Sequence, residues 1–163
     1  MLIPFIFAPA SSQAAYSEAS AQTYLLNHSQ NPWSTMALAA LNTSSIPADY
    51  LNNFSAGGAI DYEAPILAIA AMGKNPQDFN GRNLADELKN FYASNQLGDP
   101  GAINDDIFGL LALAASKISS NDPVAEGTKQ FILKHQNSDG GFTYDPRSSY
   151  GTASDSSSTA WVV

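Results

Sequence analysis

The chain has no cysteine among its 163 residues. That absence excludes disulfides, thiol nucleophiles and cysteine-ligated zinc or iron–sulfur centres. Histidine is scarce too: His28 and His135 are the only two. Each falls at the polar end of a helix-like stretch, where it reads as a helix C-terminal residue rather than a metal ligand. Charge is sparse, at 13% of residues, and basic charge sparser, with 7 Lys and Arg against 15 Asp and Glu. The net charge of −8 leaves no basic patch for a nucleic-acid backbone or an anionic membrane surface. No run is long and apolar enough to predict a transmembrane anchor. Period-2 alternation is missing as well, so no sheet is expected. With 44% hydrophobic residues, the chain is long and apolar enough to bury one core.

The first residues, "MLIPFIFAPASSQAA", read as a targeting segment. Leu2–Ala8 is a short apolar run, and Ser12-Gln13-Ala14 fits a small-x-small cleavage site. No basic residue precedes the run. The expectation is a truncated signal segment at 1–14, a folded domain at 15–163, and a secreted or cell-surface location.

Two kinds of helical segment alternate through the rest. The first kind is amphipathic and carries the charges, at Ser17–Ser29, Asn83–Asn95 and Val124–His135. The second is apolar all round: "MALAAL" (36–41), "PILAIAAM" (65–72) and "IFGLLALAA" (107–115). A helix with no polar face has to be surrounded by other helices. Proline or glycine marks the joints, at Pro47, Gly73, Pro76, Gly81, Pro100 and Pro123. This predicts stacked helical hairpins that cannot bury themselves singly.

A repeated spacing supports that reading. Leu25-Leu26, Phe91-Tyr92 and Phe131-Ile132 are each followed, after three residues, by glutamine: Gln30, Gln96 and Gln136. A polar or glycine-rich loop and a buried helix come next each time; the last is Thr159–Val163. A degenerate copy spans residues 50–72. The set Gly127, Phe131-Ile132, Gln136, Gly140, Phe142 resembles the QW motif of the terpenoid cyclase and prenyltransferase superfamily. Phe142 stands where that motif has tryptophan, and Glu126 where it has a basic residue. The resemblance extends over most of residues 16–163. It is similar in style to bacterial secreted members and to cobalamin-carrier toroids. In the motif's physics, glycine turns the chain at positive φ. Glutamine bonds carbonyls freed at the helix end, and the aromatic packs back between hairpins.

The resemblance implies an all-α fold, an α/α toroid of repeated helical hairpins. The chain is long enough for about four of the family's six, an incomplete ring. The rest of the ring, or another domain, would then be a partner. The cyclases' Asp-x-Asp-Asp acid has its nearest counterpart at Asn104-Asp105-Asp106, without the leading aspartate. Asp105 and Asp106 are the weak catalytic candidates, and capping of the following helix is the plainer account. Asp61, Glu63 and Asp155 precede helices in the same way. If those helices point one way, the acids would ring the mouth of the toroid. The prenyltransferases' zinc site needs cysteine, so no metal is expected. Trp33, Tyr62, Phe108 and Trp161 stand near the starts of buried helices and would line a central cavity. With Asp61 and Asp155 they are the ligand-binding candidates.

The function expected is therefore an exported, non-catalytic binding or scaffold domain, leaning away from an enzyme. Its ligand would be a hydrophobic small molecule. No cofactor is expected, and a cobalamin-like ligand is implied by resemblance alone. The alternatives are a squalene-cyclase-type or prenyltransferase-type isoprenoid enzyme, whole or in part, and a module of a larger surface protein.

Overall fold

The computed structural model describes residues 16–146 and 153–162. The expected targeting segment at 1–14 and the terminal Val163 lie outside the described residues. Within them the chain forms seven α-helices: α1 Glu18–Asn27, α2 Pro32–Ala40, α3 Ile60–Ala71, α4 Leu84–Lys89, α5 Ile103–Ala115, α6 Pro123–Lys134 and α7 Ser156–Val162. A 3₁₀ turn at Asp49–Asn52 and a small ribbon, β1 Tyr92–Ala93 and β2 Gln96–Leu97, complete the elements. The fold is mostly helical, in keeping with the all-α expectation.

The helices start where local chemistry tells them to. Ser17, Asn31, Asn83 and Asp122 each accept a hydrogen bond from a backbone N–H of the first turn of the helix that follows. Pro32 and Pro123 open their helices, where a missing N–H costs nothing. The three long apolar helices also share one ending. Asn42, Gly73 and Lys117 take positive φ just beyond α2, α3 and α5. The next N–H then reaches back to Leu38, Ile69 and Leu113 carbonyls respectively, which is the Schellman arrangement. The charged helices α1 and α6 end alike as well. His28 and His135 each set Nδ1 within 2.7–2.8 Å of the carbonyl four residues back, against Tyr24 and Phe131.

Packing sorts the helices into two sets. The apolar ones lie side by side in chain order: α2 on α3, α3 on α5, and α5 on α7. Helices α1, α4 and α6 flank them, α1 on α2, α4 on α3 and α5, α6 on α5. The main core gathers Leu51, Ile66, Ile69, Leu84, Leu88, Leu97 and Leu113 between the two sets. A second cluster, Ile103, Ile107, Ile132 and Phe142, seals α5 against α6.

The glycine-rich exit from α6 is a hydrogen-bonded turn. Asn137 N–H donates to the Gly141 carbonyl at 2.8 Å, across Gly140 at φ +86°. The Gln136 amide donates to the Gly140 carbonyl at 2.8 Å, within the loop rather than to the helix end. Phe142 is buried, and its N–H donates to Thr159 Oγ1 on α7 at 2.9 Å. The motif's aromatic thus seats the next helix.

Three expectations change. The segment 83–95 is not one helix: α4 stops at Lys89 and an antiparallel ribbon follows, Tyr92 opposite Leu97. Ser94 and Asn95, at φ 54° and 65°, form the two-residue turn with both centres left-handed that suits a hairpin. Helix α3 begins at Ile60 and takes Pro65 into its second turn, where only the Asp61 carbonyl loses a donor. Helix α5 begins at Ile103. The acids expected before these two helices therefore lie inside their first turns.

The ribbon turn supplies a test. Replacing Ser94 with valine puts a β-branched residue at positive φ and lowers stability by about 1 kcal/mol in urea unfolding. Replacing it with asparagine raises stability by a few tenths.

Candidate functional site

Numbering each apolar helix from its first residue exposes a pattern at the fourth position. It is Thr35 in α2, Glu63 in α3, Asp106 in α5 and Thr159 in α7. Three of these side chains tie down another segment. Thr35 pairs with the Tyr50 hydroxyl at 2.8 Å. Asp106 accepts from Leu97 N–H at 2.8 Å and from the Gln96 amide at 3.2 Å. Thr159 accepts from Phe142 N–H. Glu63 is the exception. It is 1% exposed, and neither carboxyl oxygen has a hydrogen-bond partner.

Glu63 lies in the seam between α3 and α5. Gly109 of α5 lies against it: a Cβ there would meet Glu63 Oε1 at an ordinary 3.5 Å, while pressing hard on Leu97 at 2.8 Å. A bare carboxylate in such a place is costly, so the group keeps its proton. Burial, then the nearby charges of Asp105, Asp106 and Asp61, push its pKa up to about 9. Asp106 is pushed up to about 6, mainly by burial, with the Leu97 and Gln96 donors holding it back. Asp105 is raised by burial too, against the Asp99 N–H that donates to it at 2.9 Å.

Above Glu63 opens a cleft of about 280 Å³ lined by Trp33, Ile60, Ala64, Asn104 and Phe108. All of these lie in the first two turns of α2, α3 and α5, so the three helices point their N-termini toward the same place. The Trp33 and Phe108 rings stand 5.9 Å apart at 81°. Phe108 also meets Trp161 at 5.0 Å, which extends the aromatic row onto α7. Trp33 and Trp161 stay about half exposed, at 53% and 49%.

Of the residues expected from sequence, Trp33 and Phe108 share the cleft. Trp161 borders it through Phe108, while lining an adjacent apolar cavity of about 170 Å³ between α5, α6 and α7. Tyr62 faces the other way. Its hydroxyl donates to Glu87 Oε2 at 2.9 Å beside Arg82, and its ring packs on Phe54 and Phe91. The acids do not ring a mouth with free oxygens. Asp61 accepts from Gly57 and Gly58 N–H groups, and Asp105 and Asp106 hold the 96–99 segment. Only Asp155 caps its own helix, accepting from Ser158 N–H at 2.7 Å. At the second to fourth helical positions, side chains lean back toward the N-terminus and reach the preceding loop. The first N–H of α5 is met instead by the Tyr144 carbonyl at 3.0 Å. Among the described residues no cluster of three or more acidic or histidine side chains is arranged to hold a metal.

No protein-family model matches the chain, and no curated protein or solved structure matches it.

Two substitutions probe this seam. The unfolded chain releases the Glu63 proton near 4.5, whereas the folded chain holds it to about 9. Between those values the native state binds the extra proton, so stability falls as pH rises, by up to about 1.4 kcal/mol per unit. Above about pH 7 the Asp106 contribution is small, because it holds its proton only to about 6. Urea unfolding between pH 7 and 8.5 is expected to show the decline in the parent and to lose it in Glu63→Gln. Asp106→Ala strands Leu97 N–H and the Gln96 amide, and is expected to cost about 2–3 kcal/mol at neutral pH.

Proposed function

We propose that the chain is an exported, non-catalytic ligand-binding domain, an open segment of an α/α toroid. Its ligand is a small, largely apolar molecule with one polar group. The observation that carries this reading is Glu63, a buried, unpartnered carboxyl beneath a cleft with two aromatic walls. Apolar pockets with few, well-placed polar groups are the usual form of small-molecule sites. The toroid is supported by the row of parallel apolar helices flanked by charged ones, and by their repeated starts and ends. Export is supported by the leading segment alone.

The chemistry favours binding over cyclase-type catalysis. Protonating an alkene demands a strong acid, and a carboxyl that keeps its proton to about pH 9 is a weak one. Asp105 and Asp106 are engaged with backbone donors of the ribbon segment. A corrinoid would find room in the cleft for only a fraction of itself.

The test uses geraniol and geranylamine, matched in carbon skeleton and different in polar group. The two tryptophans report directly, because both belong to the aromatic row. A saturable change in tryptophan fluorescence is expected with at least one probe, and Phe108→Ala is expected to weaken it about tenfold. No saturable change with either probe would overturn the proposal.

A further inference from the structure

We infer that the polar group this cleft selects is an ammonium, held by the Glu63 carboxylate below and the Trp33 and Phe108 rings beside it. This rests on the ligand-binding reading of the same cleft.

Three observations converge. First, both Glu63 oxygens are unpaired, although the equivalent polar side chains of α2, α5 and α7 are all engaged. The site therefore has acceptor capacity that the protein itself does not use. Second, the Trp33 and Phe108 rings, packed edge to face at 81°, both line the cleft beside Glu63. Aromatic faces and a carboxylate around one cavity are the surroundings that stabilise an alkylammonium. Third, the charge around Glu63 is of one sign. Asp105 and Asp106 act on it from α5 and Asp61 from its own helix. Helix α2 carries no charged residue. On α4, Glu87 is paired with Arg82, and Lys89 with Asp86 and Asp122. No lysine or arginine lines the cleft.

The helix N-termini oppose a cation, but each amounts to only about half an elementary charge. Their N–H groups are also partly covered, by Asn31 in α2 and by the Tyr144 carbonyl in α5. Three carboxylates outweigh them. An anionic ligand is excluded by the same charges. In the free protein the proton on Glu63 is the cation that answers this potential. An incoming ammonium takes over that role. Glu63 then gives its proton to solvent, and the carboxylate pairs with the ligand, so that charge balances.

Binding is therefore linked to pH. While the free protein holds the proton and the complex does not, ammonium affinity rises with pH, by up to about tenfold per unit. Geranylamine stays protonated throughout pH 6–8, since alkylammonium groups titrate near lysine's value of about 10.4.

The experiment is calorimetric titration of the full chain with geranylamine and with geraniol, at pH 7, 7.5 and 8, above the Asp106 titration, in two buffers of different ionisation heat. Geranylamine is expected to bind more tightly as pH rises, with a buffer-dependent heat equivalent to release of up to one proton. Geraniol is expected to bind more weakly and independently of pH. Glu63→Gln, checked for helical content by circular dichroism, should lose the proton release and most of the preference for the amine. Phe108→Leu keeps an apolar wall without a ring, and should weaken geranylamine several-fold while leaving geraniol nearly unchanged. Equal binding of both probes without proton release would overturn the inference and leave the ligand-binding proposal standing. So would Glu63→Gln with undiminished preference for the amine. Binding of neither probe would overturn both.

Discussion

Helices α3 and α5 press their first turns together with three acidic side chains in or beside the contact and no basic one among them. Burying carboxyl groups without counter-charge is among the costlier things a fold can do. The protein meets that cost in three ways. Asp106 receives the Leu97 N–H and the Gln96 amide, and Asp105 receives the Asp99 N–H. Glu63 gives up its charge. The ribbon exists where it does because its second strand supplies the donors that Asp106 needs. At Gly109 a methyl would run into Leu97, the same strand residue whose N–H serves Asp106.

The same architecture is written four times with different side chains. An apolar helix starts at a cap, a proline or a loop carbonyl. Its fourth residue is polar, and the three longest of the four helices end in the same left-handed turn. Where the fourth residue is threonine or aspartate, it fastens another segment to the helix. Where it is glutamate, one methylene longer, it reaches into the neighbouring seam instead. The odd copy of a repeat thus becomes the place where a ligand is accommodated. Among the described residues only the Thr128 hydroxyl is likewise buried without a partner, and it carries no ionisable group.

Much of this organisation is legible in the sequence. The alternation of amphipathic and apolar helices can be read from residues 83–134 alone, because charges run through α4 and α6 and in α5 are confined to the first turn. The glutamine–glycine–aromatic exit from α6 marks the loop that seats α7. What escapes the sequence is direction. Glu63 stands beside Asp61 and reads as one more acid at a helix start. The period of the helix places Asp61 toward the loop and Glu63 toward α5, but nothing local says that α5 is there. Tyr62 and Phe108 look alike in the sequence for the same reason, and they face opposite sides of α3 and α5. The ribbon was hidden because Phe91, Tyr92 and Leu97 continue a helical-looking apolar pattern. The only contrary signal is Ser94-Asn95, a polar pair tolerant of left-handed backbone. Apolar content points to helix starts at Pro65 and Ile107, later than Ile60 and Ile103, because acids within a first turn add nothing to the apolar pattern.

Helix α7 brings Trp161 to the aromatic row, and the contacts that place it lie at its start. Its first turn is held by Asp155 and by Phe142, whose N–H meets Thr159 while its ring sinks beside Ile103 and Ile132. Phe142 and the first turn of α7 are therefore coupled: unseating that one phenylalanine frees the start of the helix. Local opening of this kind costs less than global unfolding, and amide exchange is fastest where it happens. Trp161 travels with that helix. One end of the aromatic row thus hangs on a single buried ring, whereas Trp33 and Phe108 ride on helices joined to the main core.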